Sequence, residues 1–296
     1  TLGASVPKSN SADMKTIGWE LSLGWNDRLE NGFSYWVKGV LSDYQATITK
    51  YAGNDAGFYS QSDDDGKYYV GQKIGEIWGY HSNGLFQSDD EAATIDQSEL
   101  YAGKWGAGDV KYEDLDGDGK ITKGEETIYN PGDKSIIGNK TPRYQFGITV
   151  GFDYKNFDFE MFWQGTGKRD YMLSGAQFWG FTSQWDVPYT PALDYWTETN
   201  TDAYFPRPGW QNGGNRVTSD RYLQSAAYGR LKNLTVGYTI PKNLTTKWGI
   251  SRLRLYVTGE NLLTITPLND AFDPETLGGL TYPINRKVAI GLNLTL

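Results

Sequence analysis

The chain has 296 residues and a formal net charge of −8. This acidic balance argues against a nucleic acid as partner, because the phosphate backbone attracts basic surfaces. Cysteine is absent, which excludes a disulfide framework, thiol catalysis and a cysteine-ligated metal site. Mean hydropathy is −0.58, and no apolar run reaches the roughly 18 residues that a membrane-spanning helix needs. Residues 1–10 lack a basic region followed by an apolar core, so we expect no signal peptide there.

An alternation of apolar with polar or small residues recurs along the chain and predicts β-strands with two different faces. It is clearest at 144–154, where aromatic residues mark both ends of the apolar face and aliphatic residues its middle. A bilayer favours that layout, since amphipathic rings prefer the two headgroup levels. The seven predicted strands lie near 18–27, 32–43, 143–154, 157–167, 227–240, 252–261 and 286–296.

Strand length and connection length favour an all-β transmembrane barrel over a soluble β-sandwich, which is the alternative. The runs approach the ~9–11 residues of tilted barrel strands, whereas soluble strands average about 5–6. The apolar faces at 144–154 and 288–296 carry no charge. Short connections alternate with long ones, as periplasmic turns alternate with extracellular loops in outer-membrane barrels. The orientation puts the C-terminus in the periplasm.

Strand parity predicts that the chain is part of a larger barrel. Seven is an odd number, whereas bacterial single-chain barrels have even numbers of strands. A seven-stranded piece would also leave bare edges, which lipid does not tolerate. We therefore expect the remaining strands to lie outside these 296 residues, on the N-terminal side.

An acidic motif in the first long connection fits an EF-hand calcium loop. Three aspartates hold loop positions 1, 3 and 5, a glycine allows the turn at 6, and a glutamate stands at 12. The predicted ligands are Asp114, Asp116, Asp118, Lys120 through its carbonyl, Thr122 and Glu125. We expect a structural calcium ion that stiffens this connection; the alternative is a hydrated acidic turn. A second cluster, Asp63 to Asp65, is interpreted as a hydrated turn.

The connection 168–226 is rich in aromatic residues. They predict either stacking platforms for a sugar or an apolar peptide, or a hydrophobic core belonging to the connection itself. The tryptophans considered for substrate are Trp179, Trp185, Trp196 and Trp210. Catalytic residues are not indicated: His81 is the sole histidine, and the sequence signals no Ser-His-Asp triad.

Several segments resemble the SusC/RagA-type TonB-dependent transporters, in family order and over nearly the whole chain. The segment 18–27 resembles the family's GWE strand, and 114–122 with 136–165 resembles its acidic segment and the two strands that follow. Residues 228–241 match a strand of the "asyxRlkNltLGYtlP" type. Gly259 to Leu262, Asp273 to Glu275 and Tyr282-Pro283 match the last block.

The resemblance implies a 22-stranded outer-membrane barrel with a plug, driven by TonB and working with a SusD-like surface lipoprotein. It implies active import of oligosaccharides or oligopeptides and no enzymatic activity. The alternative is a secreted β-rich carbohydrate-binding protein with a structural calcium. A glycoside hydrolase would need a pair of carboxylates in a cleft, and the sequence singles out no such pair.

Overall fold

The structure is a computed structural model that describes residues 10–59, 68–102, 104–277 and 282–296. The strands are β1 Ala12–Arg28, β2 Ser34–Tyr51, β3 Glu76–Tyr80, β4 Ser82–Leu85, β5 Val110–Tyr112, β6 Lys134–Asn139, β7 Arg143–Tyr154, β8 Phe157–Lys168, β9 Asp170–Met172, β10 Leu223–Ser225, β11 Tyr228–Thr239, β12 Arg252–Ile265 and β13 Lys287–Thr295. Four short α-helices are α1 Asp89–Ala92, α2 Ser98–Tyr101, α3 Ala176–Trp179 and α4 Lys242–Thr245, and three 3-10 helices are Thr190–Leu193, Gly213–Arg216 and Thr246–Trp248. Among the described residues, no helix is long and apolar enough to cross a membrane.

Seven long strands form one sheet in the order β1-β2-β7-β8-β11-β12-β13. Each of these seven strands overlaps one of the ranges predicted from the alternation of apolar and polar residues. The first two strands are longer than expected: β1 begins at Ala12, and β2 continues to Tyr51. Lengths run from 9 residues in β13 to 18 in β2, so most of these strands exceed the average of about 5–6 residues in soluble proteins.

The chain divides into two compact units, which are described separately. The sheet unit comprises 18–44, 142–170 and 225–296, and the loop unit comprises the described residues of 1–17, 45–141 and 171–224. The loop unit contains the small antiparallel sheets β3-β6 and β4-β5. The long connections are therefore folded, although the alternation of the sequence marked them only as gaps between strands.

In the sheet unit, the register joins the apolar residues of successive strands into a continuous row. One row runs across six strands and consists of Tyr35, Phe152, Phe159, Val236, Val257 and Ile290. The adjacent row lies on the opposite face and consists of Trp36, Gly151, Glu160, Thr235, Thr258 and Ala289. Successive side chains of a strand point to opposite faces of the sheet. This register therefore separates an apolar face from a largely polar one.

The apolar face of the sheet unit is exposed. Val236 is 45% exposed, Val257 46% and Ile290 84%. Nothing within the unit covers these described side chains to the extent that a water-soluble core would, since core residues are usually more than nine-tenths buried. Among the described residues of the unit, this face is therefore not part of a hydrophobic core.

The loop unit contains an aromatic core. Phe178 is fully buried, and its ring centroid lies 5.1 Å from that of Phe205, in an edge-to-face arrangement. Tyr222, also fully buried, contacts Trp179 edge-to-face at 4.6 Å. Such pairs add about 0.5–1.5 kcal/mol each beyond the area that they bury, so the connection 171–224 provides its own hydrophobic stabilisation.

Candidate functional site

The acidic motif of the loop unit folds into a tight turn around Asp114. Its two carboxylate oxygens accept hydrogen bonds from the backbone N–H groups of Gly117 and Gly119, at 2.7 and 2.8 Å. Both glycines have positive φ, 77° and 85°, a conformation that side chains disfavour. The hydrogen bond from Gly119 contributes most to lowering the pKa of Asp114, so this carboxylate is readily available as an anionic ligand.

Asp133 completes this site, although it lies outside the twelve residues of the predicted loop. Its side chain is fully buried, and its carboxylate accepts from the backbone N–H groups of Leu115 at 2.8 Å and Thr122 at 2.7 Å. Burial raises the pKa of Asp133, and the negative charges of Asp116 and Asp114 raise it further. A buried carboxylate facing two others is stabilised by a neighbouring cation.

Among the described residues, the carboxylates of Asp114, Asp116 and Asp133 approach one another within 4.8 Å. The other two predicted carboxylate ligands, Asp118 and Glu125, are outside this group of three. Asp118 accepts from the backbone N–H of Lys120 at 2.8 Å. Glu125 is exposed and is outside the group of three carboxylates. Thr122 contributes its backbone N–H to Asp133. Residues 63–65 lie outside the described residues.

The donor chemistry of this carboxylate group fits a hard cation. Calcium prefers oxygen ligands, and three carboxylates converge here, two from the acidic loop and one from Asp133. Asp114, Asp116 and Asp133 would hold the ion. The ion would neutralise the repulsion among them and would tie the turn at 114–122 to the residue that precedes β6.

The four tryptophans considered for substrate are not brought together as one platform. Trp179 and Trp196 are each only 8% exposed and belong to the core of the loop unit. Trp185 is 83% exposed and Trp210 49%. The buried pair therefore contributes to packing, and a stacking role stays a prediction for Trp185 and Trp210.

His81 is the centre of a hydrogen-bonded group that the sequence did not indicate. Its Nδ1 lies 2.7 Å from an Asp220 carboxylate oxygen, and its Nε2 lies 2.7 Å from the Ser135 hydroxyl. A hydrolase triad has the same contacts, with an Asp carboxylate on Nδ1 and a Ser hydroxyl on Nε2. Such a triad acts together with preorganised oxyanion donors. Asp220 also accepts from the backbone N–H of Ser82 at 3.0 Å, so the imidazole cross-links three segments of the loop unit.

In the sheet unit, two motifs of the family resemblance meet. Arg230 is 2% exposed and pairs with Asp273 at 2.6 Å and with Glu275 at 3.0 Å. Lys232 adds a second ion pair to Glu275 at 3.0 Å. The segment after β12 is thereby tied to β11. The sequence contains both motifs but does not indicate that they touch, because 43 residues separate Arg230 from Asp273.

Another ion pair, between Asp158 and Arg254, lies on the polar side of the sheet beside Gly237. Asp158 pairs with the guanidinium of Arg254 through two hydrogen bonds, one of them 2.8 Å long. A Cβ at Gly237 would lie 2.4 Å from the Asp158 carboxylate and 2.5 Å from the guanidinium. Glycine at this position therefore makes room for the pair.

Comparisons with known proteins agree with these observations. No protein-family profile matches the chain. The chain is 33% identical over 321 residues to TonB-dependent receptor P3 of Formosa agariphila, which covers 99% of the chain and 30% of the relative. It is 23% identical over 296 residues to TonB-dependent receptor SusC of Bacteroides thetaiotaomicron, 96% of the chain and 27% of the relative.

Solved structures share the fold. The RagAB peptide transporter matches with a TM-score of 0.71 at 19% identity, covering 96% of the chain and 30% of the solved chain. The RagAB peptide importer in the "closed-closed" state matches with a TM-score of 0.69. The chain thus spans less than a third of the length of the relatives that it matches. With its antiparallel sheet and its ordered motifs, the chain is similar over nearly its whole length to part of TonB-dependent receptors, SusC among them.

Proposed function

We propose that this chain forms part of an outer-membrane β-barrel that imports nutrients. The observation that carries the proposal is the exposed apolar row of the sheet unit, in which Val236, Val257 and Ile290 follow one another across three strands. Water is an unfavourable environment for such a face, since burying apolar area contributes about 25 cal/mol per Å². Lipid removes that cost.

Barrel closure requires further strands. β1 and β13 lie at the edges of the sheet in the described part of the chain, and unpaired edges are unfavourable in hydrocarbon. Closure to the family's 22 strands, with β1 and β13 each paired to a strand outside these residues, is part of the proposal.

The polar face would line the lumen. Glu160, Thr235 and Thr258 lie on it in one cross-strand row, and Asp158 pairs with Arg254 beside them. Outer-membrane barrels have polar interiors of this kind. The cargo is an oligosaccharide or an oligopeptide, taken up with a SusD-like lipoprotein and energised through TonB. The relatives are named as receptors and transporters, so we assign no enzymatic activity.

Fractionation of the native protein tests the membrane assignment. We expect it in the outer-membrane fraction, released only by detergent, together with a surface lipoprotein that copurifies. A monomeric protein that is extracted by buffer alone would contradict the proposal and would favour the alternative of a secreted carbohydrate-binding protein.

Calcium is proposed as a structural ion of the loop unit. The support is the convergence of Asp114, Asp116 and Asp133 within 4.8 Å, together with the full burial of Asp133. The ion would stiffen the connection between β5 and β6 and would take no part in transport chemistry.

A further inference from the structure

The sheet unit contains an open groove on its apolar face. Its volume is about 380 Å³, and ligand pockets in proteins run from about 300 to 1,000 Å³. Apolar side chains of β1, β2 and β7 form its walls, namely Leu21, Leu23, Leu41, Phe146 and Ile148. All of them belong to the sheet unit, so the groove is formed within one unit and suits a flexible apolar chain.

A glycine forms the floor of the groove. In the register of β2 with β7, Gly39 lies opposite Ile148, and the next pair on the same face is Val37 with Val150. A Cβ at Gly39 would have no atom within 4 Å, so the space above this residue is open. The apolar face is therefore indented at Gly39 and filled at the valine pair.

One end of the groove lies beside Tyr144 and Gly167, at the rim of the sheet where β7 begins and β8 ends. Tyr144 is half-exposed, and a Cβ at Gly167 would lie 3.1 Å from the Tyr144 Cβ. The guanidinium carbon of Arg143 lies 5.4 Å from the centroid of the Tyr144 ring. Because amphipathic rings favour the headgroup level of a bilayer, this end suits the polar boundary of a membrane.

Positive charge is in excess at the same end of the groove. Lys168 is exposed and lies opposite Arg143 in the register of β7 with β8. Arg143 pairs with Asp43 through two hydrogen bonds, one of them 2.6 Å long. Arg169 and Asp170, which follow Lys168 in the chain, add one charge of each sign. One positive charge therefore remains in excess among these residues, and it favours an anionic lipid headgroup.

An acyl chain gains more from this groove than from the filled part of the face, because it contacts walls as well as a floor. Polar ligands are disfavoured, since the apolar walls offer few partners for their hydrogen bonds. The end at Lys168 lies where β7 and β8 meet the long connections, which are predicted to be extracellular. The lipid there would come from the outer leaflet, which in outer membranes consists mainly of lipopolysaccharide.

From this geometry we infer that the groove holds one acyl chain of lipid A, the phosphorylated and acylated anchor of lipopolysaccharide, with a phosphate beside Lys168. The inference rests on the proposed function, which gives the sheet unit its lipid surroundings. It adds one lipid bound at a defined place to a face whose other lipid neighbours exchange freely. This lipid is a partner of the barrel wall and not a cargo.

Native mass spectrometry of the full-length protein in detergent tests the inference. The probes are lipid A, dioleoylphosphatidylglycerol and dioleoylphosphatidylcholine, each added separately at the same concentration. We expect one lipid A to stay bound after the detergent is removed in the gas phase, and both phospholipids to dissociate. Equal retention of phosphatidylglycerol, or retention of no lipid, overturns the inference.

Two glycine variants locate the bound chain. Gly39→Phe fills the groove, and we expect lipid A binding to weaken about tenfold or more, as when a ligand loses space in an apolar pocket. Gly24→Phe is the matched control, because a Cβ at Gly24 would also have no atom within 4 Å. Gly24 lies between Leu23 and Trp25 and therefore on the opposite face of β1, so binding should stay unchanged. Undiminished binding by Gly39→Phe would overturn the site.

Two lysine variants test the phosphate contact. A lysine near a membrane surface strengthens the attraction of anionic lipid about fivefold, so Lys168→Gln should weaken lipid A binding by about that factor. Lys155→Gln removes an exposed lysine at the opposite end of β7 and β8 and should have no effect. An equal loss in both variants would assign the effect to net charge and overturn the contact.

Fractionation of the same preparations separates this inference from the proposed function. A protein that is found in the outer-membrane fraction but retains no lipid A contradicts the lipid site alone. Extraction by buffer without detergent contradicts the membrane assignment itself.

Discussion

The two units of this chain bury their apolar residues in opposite ways. In the loop unit, large side chains such as Tyr112, Phe178 and Tyr222 are almost completely removed from solvent. In the sheet unit, the buried hydrophobic residues of the described chain are only Ala226, Leu268 and Leu277, while Ile290 and Val257 are exposed. One polypeptide thus contains a unit with its own hydrophobic core and a unit whose apolar face needs a partner.

This difference shows that burial has to be judged against the solvent that each surface meets. A polar network holds the core of the loop unit together, and ion pairs such as Arg230 with Asp273 organise the polar side of the sheet unit. The low mean hydropathy of the chain is an average over both units, and it therefore hides the apolar face of the sheet unit. The following predictions separate the units experimentally.

The largest effect is expected from Asp109→Ala in the loop unit. Asp109 is fully buried and accepts hydrogen bonds from Arg207 at 2.8 Å and Asn215 at 2.8 Å. Removing the carboxylate leaves the buried donors of Asn215 and of the Gly106 backbone N–H without their acceptor, at a cost of about 1–3 kcal/mol each. Hydrogen exchange should rise across 76–112 and stay unchanged across 228–265, whereas exposed Asp202→Ala should alter neither. Equal loss of protection in both segments would show that the two units unfold together.

The next largest effect is expected on the apolar face of the sheet unit. Ile290→Arg puts a cation on that face, and at mid-bilayer this costs about 2–4 kcal/mol. Ala289→Arg, its neighbour on the opposite face, is the matched control. Ile290 is 84% exposed in the chain, so in water the same substitution would stay within about 0.5 kcal/mol. Urea titration of the protein in lipid vesicles measures both; equal stability of the two variants would count against a lipid-facing row.

Calcium binding is expected to distinguish the two ligand sets. Asp133→Asn removes a charge from the group of three carboxylates and should weaken calcium binding about tenfold or more, because ligand charge sets affinity. Glu125→Gln alters the exposed glutamate of the predicted loop and should have little effect. Titration calorimetry with CaCl₂ compares the variants. If Glu125→Gln abolished binding and Asp133→Asn did not, the EF-hand assignment would be the correct one.

The smallest effect is expected at the start of α1. The Glu91 carboxylate accepts from the backbone N–H of Gln87 and from Lys111, each at 2.8 Å, and these bonds lower its pKa below 4.5. A lowered carboxylate pKa contributes stability above pH 4.5 that is lost as pH falls through the folded-state value. Glu91→Gln should therefore cost about 1 kcal/mol at pH 7 and little near pH 2.

Thermal unfolding at both pH values tests the Glu91 prediction. Exposed Glu113→Gln is the control for the loss of one carboxylate. A destabilisation by Glu91→Gln that is the same at pH 2 and pH 7 would exclude the ionised carboxylate as its source.

The long strands could be predicted from sequence because a period of two is a local property of the chain. At β7 and β8 the expected ranges and the observed bounds nearly coincide. The ends of β1 and β2 could not be predicted, since the loop unit sets them: Thr49 donates to the Asp13 carbonyl at 3.2 Å. Contacts between residues so far apart in sequence do not produce a periodic pattern of apolar and polar residues.

The candidate sites were only partly predictable, for a related reason. The turn around Asp114 is encoded by neighbouring residues, including glycines at positive φ. Asp133 joins it through burial and backbone hydrogen bonds, which a motif of twelve residues does not include. The aromatic core of the loop unit, which includes Phe178 and Tyr222, depends on the folding of the whole unit. Sequence identifies such aromatic residues without indicating which ones are buried.

The hydrogen bonds of His81 have a practical consequence. It is the only histidine in the chain, and its two ring nitrogens contact Asp220 and Ser135, which belong to segments far apart in sequence. A histidine-selective ¹⁵N label would therefore give a single imidazole whose two nitrogen resonances report on both contacts. That one side chain offers a spectroscopic probe of whether these distant segments of the loop unit stay assembled.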